Sequence, residues 1–313
     1  MSDTIEVIFL GTGGGAPSHR RYLPSVAIRK GGEWLLFDAG EGAQMRLRES
    51  PLGWGGLRAI FISHLHGDHV LGLPGLLMSL GMAQITQPID VYGPPGLQRF
   101  IETVLSTCRV QLPFLLRVIP IETIASGGTT LLEGDGFRVD AIPLRHRIPC
   151  FGFIWRENSR PGRFYPDRAQ SAGVPAGPLY KELQQGRSVK LQNGSIVAPA
   201  AVMGPGRPGR VIAYCTDTAP APAIIPAIRG ADLLIHDATF GAGLEEEARV
   251  SGHSTAGQAA AFARQAGCLS LALTHISARY SDDAELLAEA RSMFANSFVA
   301  ADQMRIEIPP REA

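Results

Sequence analysis

The chain has few cysteines, no excess of either charge and no long apolar run, and each of these absences excludes a class of protein. Its four cysteines are far apart and form no C-x-x-C pair, so we expect reduced thiols rather than a disulfide framework. Lysine plus arginine equals aspartate plus glutamate at 29 each, so the field of the whole molecule does not attract nucleic acid. We expect no DNA partner, and any anionic partner has to meet a local basic patch.

Signals for membrane insertion and export are also missing. No apolar run approaches the length that crosses a bilayer, and the chain start has no basic region followed by an apolar stretch. With 45% hydrophobic and 19% charged residues over 313 positions, the chain can bury a sizeable core. We therefore expect a soluble, cytoplasmic protein with no membrane partner.

Short apolar runs bounded by glycine, proline or charged residues predict strands, and segments with helical apolar spacing lie between some of them. The predicted strands span residues 5–10, 24–29, 34–38, 57–63, 89–92, 115–120, 137–143, 150–155, 211–215, 232–235 and 269–273. The predicted helices span residues 76–83, 97–107, 219–229, 255–265 and 282–294. Two sheets covered by outer helices fit this order, within a single domain over residues 1–313.

Residues 156–210 differ in character from the rest of the chain. Glycine and proline interrupt every periodic pattern there, so we interpret the segment as an inserted flexible arm with its base. Between Arg156 and Lys190, seven basic residues stand against three acidic ones, a local balance of +4, and aromatic residues are interleaved with them. The arm therefore carries the basic patch that the whole-molecule charge does not supply.

The segment His64-Leu65-His66-Gly67-Asp68-His69 follows the apolar run 57–63 and places three imidazoles and a carboxylate within six residues. Alternation along an extended chain puts His64, His66 and Asp68 on one side, and a turn at Gly67 lets His69 return toward them. Nitrogen and oxygen donors without thiolate suit Zn²⁺, Mn²⁺ or Fe²⁺ in a hydrolytic site with open positions for water. One such histidine alone is typical of a solvated loop, but this spacing favours metal.

Further candidates stand where strand-like runs end, which is where sites are assembled. His146, Asp217 and His275 each follow such a run, and a carboxylate at position 217 can bridge two cations or, alternatively, cap a helix. A structural role competes evenly with a site role for His236, so we leave it out of the ligand set. His253 lies in a loop before a predicted helix, where it can face a bound anion.

Several segments resemble a known family over nearly the whole chain. The H-x-H-x-D-H motif marks the metallo-β-lactamase superfamily, and residues 9–13, 36–41 and 273–280 agree with it. Within the superfamily, residues 72–75, 92–94, 236–240 and 253–255 resemble ribonuclease Z, the tRNA 3′-processing endonucleases, rather than glyoxalases or lactamases. The resemblance implies an α/β fold, a metallo-β-lactamase-like four-layer αββα sandwich with a protruding arm.

The resemblance also implies a cofactor, a ligand set and partners. It implies two Zn²⁺ per subunit, with Mn²⁺ or another divalent metal as a substitute. One zinc is expected on His64, His66 and His146, the second on Asp68, His69 and His275, and Asp217 is expected to bridge them. Precursor tRNA is the implied substrate, and a homodimer is implied in which the apolar surface around residues 71–80 contributes an interface.

The implied reaction is attack of a metal-activated water on a phosphodiester, which leaves a 3′-hydroxyl on the tRNA. Two cations lower the pKa of a shared water toward about 7. We expect Asp68 to guide the attacking water or accept its proton, and His253 to donate to a non-bridging or leaving oxygen.

Substrate contacts are expected mainly on the arm, because the segment 175–180 resembles the glycine-proline tip with which the family clasps the tRNA elbow. The candidate substrate-binding residues are Arg163, Arg168, Gly177, Pro178, Tyr180, Lys181 and Arg21.

Two departures from the family stand out. The P-x-K-x-R-N loop, tied to sensing the CCA end, reads Pro17-Ser18-His19-Arg20-Arg21-Tyr22, which leaves discrimination against mature CCA ends open. Asp237 replaces the usual Glu of the H-E-A-T motif, so we expect altered efficiency.

Two other functions stay open from the sequence. The same site could serve a metal-dependent phosphodiesterase or another small-substrate hydrolase, which would not need the arm. A non-catalytic RNA-binding scaffold is the second alternative, and degenerate ligands would be its mark, but the seven expected ligands are intact.

Overall fold

Runs of β-branched and aromatic residues form the strands, and each run ends at a glycine, proline or polar turn. The structure is a computed structural model that describes residues 4–122, 124 and 127–311, so the chain start, where no export signal was expected, lies outside it. The strands are β1 Ile5–Gly11, β2 Gly13–Gly14, β3 Ser25–Lys30, β4 Glu33–Phe37, β5 Leu57–Phe61, β6 Ile89–Gly93, β7 Leu116–Pro120, β8 Thr129–Gly134, β9 Phe137–Pro143, β10 Phe151–Glu157, β11 Val189–Lys190, β12 Ile196–Val197, β13 Val211–Cys215, β14 Leu233–Asp237, β15 Leu271–Thr274, β16 Ile276–Ser277, β17 Ser297–Val299 and β18 Arg305–Ile308.

Helices connect and cover the strands. They are α1 Ala43–Glu49, α2 Gly67–Val70, α3 Gly72–Met82, α4 Leu97–Thr107, α5 Pro166–Ser171, α6 Pro178–Gln184, α7 Pro199–Val202, α8 Ile225–Ile228, α9 Glu245–Ser251, α10 Ala256–Ala266 and α11 Ala284–Met293. Within the described part of the chain, no helix is both long enough and apolar enough to cross a membrane.

Two seven-stranded sheets form the centre of the larger of two compact units, which runs up to Arg156 and resumes at Val211. Their strand orders are β18-β1-β3-β4-β5-β6-β7 and β17-β15-β14-β13-β10-β9-β8. One buried cluster, which includes Phe37 and Phe153, joins the facing sides of both sheets. A second cluster packs the outer side of the first sheet against α1, α3 and α4, and a third packs the second sheet against α8, α10 and α11. The layers therefore run helix, sheet, sheet, helix.

The direction of the strands determines where side chains can meet. Strands β4 to β7 run parallel to one another, and so do β13, β14, β15 and β17. The carboxyl ends of parallel strands share one edge of a sheet, which is where such sheets carry their sites. The chain leaves β5 just before His64, β13 just before Asp217 and β15 just before His275.

The smaller unit comprises residues 157–210 together with Pro310 and Arg311. It contains α5, α6, α7 and the β11–β12 hairpin, and a hydrophobic cluster of its own that includes Val174, Leu183 and Val202. The predicted arm, residues 156–210, differs from this unit by one residue at its start. Prolines that break longer patterns begin all three helices, because proline is well accommodated in a first turn. Short helices therefore form in this segment although glycine and proline interrupt its periodic patterns.

Other differences from the predicted elements are local. The helix predicted over 219–229 is reduced to α8 and a preceding 3-10 turn, since Pro220, Pro222 and Pro226 remove backbone donors. The helix predicted over 76–83 begins at Gly72 because Pro74 is accommodated in its first turn. Most of the expected apolar surface 71–80 is core: Leu73, Leu76, Leu77 and Leu80 are buried, and Leu71 is exposed.

Candidate metal centre

Loops after the three parallel strands β5, β13 and β15 and after the antiparallel strand β9 bring the seven expected ligands together in the larger unit. Among the described residues, ligand atoms of His64, His66, His146 and Asp217 lie within 4.8 Å of one another. Asp68, His69 and His275 form a second group by the same measure. Asp217 connects the two groups, because its Oδ2 lies 3.5 Å from His64 Nε2 and its Oδ1 lies 3.2 Å from His69 Nε2.

Hydrogen bonds behind the rings determine which nitrogen faces the centre. His146 Nδ1 lies 2.8 Å from the Gly252 carbonyl oxygen, and His69 Nδ1 lies 2.8 Å from Asp38 Oδ2. Both oxygens can only accept, so both Nδ1 atoms carry the proton. Ser63 Oγ donates to Asp38 Oδ2 and is left to accept from His64 Nδ1 at 3.0 Å. Nε2 of all three rings therefore faces the centre.

The spacing of these nitrogen atoms shows whether the residues fit a cation. His66 Nδ1 lies 3.0 Å from His64 Nε2 and 3.2 Å from His146 Nε2. At least two of these three nitrogens carry no proton, so atoms that can only accept lie close together. His69 Nε2 is buried and has no hydrogen-bond partner within the described part of the chain. Ligands at 2.0–2.1 Å around a tetrahedral zinc are about 3.3 Å apart, which matches this spacing. The donor set, imidazole nitrogen and carboxylate oxygen, fits a divalent cation.

The electrostatics of the centre favour positive charge. Burial lowers the pKa of His64 and of His66, and burial likewise outweighs the Gly252 hydrogen bond to lower that of His146. Burial would raise the pKa of Asp217, but the neighbouring His275, His69 and His64 hold it well below its ordinary value. Neutral imidazoles and ionised carboxylates are the forms that bind metal.

Asp68 lies at the side of the centre that His275 faces. Its Oδ2 accepts from the Gly15 backbone at 2.8 Å and lies 3.3 Å from His275 Nε2 and 3.6 Å from His69 Nε2. Burial opposes ionisation, yet the nearby imidazoles of His275 and His69 lower the pKa of Asp68. This carboxylate is therefore ionised at neutral pH.

His253 lies beside the ligands but is held by a different carboxylate. Its Nδ1 lies 2.8 Å from Asp237 Oδ2, and its ring stacks on that of His275 at 5.1 Å. Burial would lower the pKa of His253, but the Asp237 charge and hydrogen bond outweigh it and raise this pKa to about 9. Thr239 Oγ1 connects the same groups, at 2.7 Å from Asp237 Oδ1 and 2.7 Å from His275 Nδ1. His253 is therefore protonated at neutral pH.

The backbone around the centre is unusual in two ways. Asp38, Asp217 and His275 are non-glycine residues with positive φ angles of 58°, 43° and 60°, a conformation that costs of order 1 kcal/mol or more and persists where the surroundings require it. Glycines allow close approach: a Cβ at Gly14 would lie 2.4 Å from the His275 ring, and one at Gly252 would lie 2.8 Å from His146 Nδ1. Any residue other than glycine would clash with a histidine ring at position 14 or 252.

The structure contradicts the expected role of Arg21. Its guanidinium is buried and donates to both Asp283 carboxylate oxygens at 2.8 Å, to the Ala300 carbonyl at 2.6 Å and to Thr12 Oγ1. All of these contacts are internal, so the group is not offered to a phosphate. Arg21 instead fastens the segment 17–22 to the start of α11. The prediction that it binds substrate is wrong because the sequence does not show this carboxylate partner, 262 positions away.

The remaining substrate candidates lie in the smaller unit. Arg163, Arg168, Gly177, Pro178 and Lys181 are exposed. The Arg163 and Arg168 guanidinium carbons lie 5.8 Å and 4.3 Å from the centre of the Tyr165 ring, a cation–π arrangement that leaves both charges accessible.

Tyr180 is half-buried and packs its ring against Phe164 at 4.8 Å. Its hydroxyl is buried without a hydrogen-bond partner among the described residues, so this side chain presents less to a ligand than its neighbours do.

His236, which was left out of the ligand set, is buried against Phe262 and bonds the Asp237 carbonyl through Nδ1.

Sequence reasoning missed the residues that orient the ligands. Asp38 accepts from His69, Ser63 and the Tyr214 hydroxyl, and it stood in the sequence only as part of a family motif. A carboxylate directly after the buried strand β4 was the available signal. Thr239 likewise stood only within the family segment 236–240, and its residue type gave no signal of its own because hydroxyl residues are common in turns.

Comparisons with known proteins agree with this architecture. The family model described as "Anti-Pycsar protein Apyc1" matches residues 5–146. The "Ribonuclease Z" of Methanosarcina acetivorans is 42% identical over 308 residues, which cover 98% of this chain and 99% of that protein.

Two solved structures are similar over nearly their whole length. The short form of human tRNase Z is 31% identical with a TM-score of 0.72, and the match covers 97% of this chain and 99% of that one. The metallo-β-lactamase fold protein YhfI from Bacillus subtilis is 19% identical with a TM-score of 0.68, over 97% of this chain and 100% of that one. At 19% identity, the match to YhfI shows the fold alone. The expected metallo-β-lactamase-like α/β fold is confirmed.

Proposed function

The chain belongs to the ribonuclease Z family, and on that premise we propose that it is a metal-dependent hydrolase that removes the 3′ trailer from precursor tRNA. The observation that carries the proposal is the convergence of bare imidazole nitrogens and ionised carboxylates at the strand ends. Such a centre fits divalent cations, and phosphodiester hydrolysis is a reaction that paired divalent cations serve.

We propose two zinc ions as the resident cofactor. His64, His66 and His146 would hold one, Asp68, His69 and His275 would hold the other, and Asp217 would face both. When bound, the cations supply Lewis acidity, which makes water a nucleophile near neutral pH and offsets charge on the phosphoryl oxygens. Mn²⁺ or another divalent metal has the same donor preference.

Asp68 and His253 are the residues to which we assign proton movements. Asp68 Oδ2 is ionised and fixed by the Gly15 amide, so it can orient an attacking water and take its proton. His253 holds a proton through Asp237 and lies on the other side of His275, so it can donate to the leaving 3′ oxygen of the tRNA. That donation leaves the 3′-hydroxyl on the tRNA and the 5′-phosphate on the trailer.

The smaller unit is the proposed tRNA-binding arm. Arg163, Arg168 and Lys181 are exposed cations, and the Gly177-Pro178 step opens α6 at an exposed position. A-form RNA hides its base edges in a deep major groove, so we propose recognition through phosphates and shape.

We further propose that the enzyme acts in the cytoplasm as a homodimer. The exposed apolar side chains of Met45, Leu71 and Met82 lie on or beside α1 and α3, two helices that pack together. Mass measurement by light scattering tests the dimer, and a monomer at micromolar concentration would contradict it.

The test of the function uses two end-labelled precursor tRNAs, one with an encoded CCA and one without, incubated with zinc-loaded protein. We expect one cut after the discriminator nucleotide of the CCA-less transcript, mapped to a single nucleotide. Chelation should abolish the cut and added zinc should restore it. Cleavage beyond an encoded CCA would show that His19 and Tyr22, which replace the family's Lys and Asn, do not stop the enzyme there.

A small chromogenic phosphodiester separates the proposal from a small-substrate hydrolase. Zinc-loaded protein that turns over this compound but cuts neither transcript would contradict the ribonuclease assignment. A variant that lacks residues 160–190 should keep the small-substrate rate and lose tRNA cleavage.

A further inference from the structure

The hydroxyl of Thr239 occupies a position between a metal ligand and the proton donor. Thr239 Oγ1 lies 2.7 Å from Asp237 Oδ1, 2.7 Å from His275 Nδ1 and 3.2 Å from His253 Nδ1. The side chain is buried at 8% exposure, so water does not compete for these contacts. One small residue therefore touches both imidazoles and the carboxylate between them.

The hydrogens on these atoms can be assigned by counting donors and acceptors. Asp237 Oδ1 accepts from the Thr239 amide at 2.8 Å, and Oδ2 accepts from the Thr218 amide at 3.0 Å and from His253 at 2.8 Å. An ionised carboxylate only accepts, so the Thr239 hydroxyl proton points at Oδ1. The hydroxyl oxygen is then left to accept, and His275 Nδ1 must be the donor.

This assignment determines the state of the ligand. A proton on His275 Nδ1 leaves Nε2 bare, and Nε2 is the atom that lies 3.3 Å from both Asp68 Oδ2 and Asp217 Oδ1. Without an acceptor at Nδ1, the favourable tautomer would place the proton on Nε2, where two carboxylates accept it. The ring would then face the centre with a hydrogen instead of a lone pair.

We propose that Thr239 is a positioning residue that fixes His275 in its ligand tautomer and ties it to the Asp237–His253 pair. The inference rests on the proposed function only in taking Asp68, His69 and His275 as a cation site. The aspartate at position 237 makes the hydroxyl necessary, because its four acceptor positions are directed at Thr218, His253 and Thr239 itself. His275 has no direct bond to that carboxylate among the described contacts.

Thr239→Val keeps the shape of the side chain and removes the hydroxyl, while Thr239→Ser keeps the hydroxyl. Long-range ¹H–¹⁵N spectra of histidine-labelled, metal-free protein report the tautomer directly. We expect the His275 proton on Nδ1 in the parent and in Thr239→Ser, and on Nε2 in Thr239→Val. Competition with a chelator should show one of two zinc sites weakened about 10- to 100-fold in Thr239→Val, the usual effect of losing a partner behind a ligand.

Thr12→Val is the matched control, since Thr12 Oγ1 is also buried and donates to a carboxylate, Asp302, at 2.7 Å without touching a ligand. It should leave both zinc affinities and the His275 tautomer unchanged. An unchanged tautomer and unchanged zinc affinity in a folded Thr239→Val protein would overturn the proposal. Neither readout needs tRNA, so a failure to cleave tRNA would count against the proposed function and not against Thr239.

Discussion

At the scale of single residues, the partner of the second ring nitrogen decides what each imidazole can do. His69 and His253 both donate Nδ1 to a buried aspartate, Asp38 and Asp237 respectively. His69 is enclosed and its Nε2 meets carboxylate oxygens, which suits a ligand. His253 is partly exposed, stacks on His275 and bonds Asp237 through Nδ1, which suits proton transfer. A histidine–aspartate pair thus suits metal binding at position 69 and proton transfer at position 253.

His253→Gln tests the proposed proton transfer by His253. The amide keeps a polar group of similar reach but cannot hold a transferable proton, so we expect cleavage of precursor tRNA to slow by about 10²- to 10⁴-fold. Metal content, measured by elemental analysis, should stay at the parent value because His253 is outside the proposed ligand set. Asp237→Asn should lower the rate in the same direction. Loss of metal from His253→Gln would mean that this residue is a ligand and not a donor.

Much of the centre was predictable at this scale, and the reason is local sequence. His64, His66, Asp68 and His69 are close in the chain, and His146, Asp217 and His275 each follow a strand, so backbone geometry alone gathers them. Arg21 and Thr239 were not predictable, because their roles depend on partners that tertiary packing brings from Asp283 and from the β14 and β15 ends.

At the scale of elements, proline explains most differences between the predicted and the observed structure. Proline breaks the apolar periodicity of residues 156–210, yet it begins α5, α6 and α7, so an interrupted pattern is compatible with short helices. The two ends of the smaller unit meet at Glu157 and Arg210, whose amide and carbonyl pair at 2.8 Å and whose side chains form a buried bidentate ion pair at 2.8 Å. This pair closes the unit.

Glu157→Gln tests that closure. It removes the carboxylate charge that the buried Arg210 guanidinium faces in this pair, which costs about 3 kcal/mol. We expect faster hydrogen exchange and proteolysis within residues 157–210, with an unchanged rate on the small phosphodiester. Glu182→Gln is the control from the same unit, because the Glu182–Arg187 pair is exposed, and it should change neither measurement.

The same pair predicts a pH dependence. Burial would raise the pKa of Glu157, but hydrogen bonds from Arg210 lower it below its ordinary value. A lowered folded-state pKa contributes stability above the ordinary carboxyl range, and that stability is lost as pH falls through the folded value. The protection of the smaller unit against hydrogen exchange, corrected for the pH dependence of intrinsic exchange, should therefore fall on acidification in the parent and change less in Glu157→Gln. Equal acid sensitivity in both proteins would contradict this assignment.

At the scale of the whole molecule, a net charge of zero has to be reconciled with a polyanionic substrate. The charges are segregated: the arm segment carries the basic excess, while the ionised aspartates surround the proposed cation sites. A divalent pair would convert that acidic centre into one that attracts phosphate. Binding and cleavage then draw on different groups of charges, which variants can separate.

Replacing Arg163, Arg168 and Lys181 together by glutamine tests this separation. Each lost phosphate contact should lower the slope of log affinity against log salt by about 0.7 to 0.9, so the triple variant should bind precursor tRNA more weakly at low salt and with a slope smaller by about 2. Its rate on the small phosphodiester should equal that of the parent, because the seven ligands are untouched. Replacement of the exposed Arg58, Arg99 and Arg109, which lie in the larger unit, removes the same charge and should leave the slope unchanged. Equal slopes for both triple variants would show that tRNA is attracted by net charge and not by the arm.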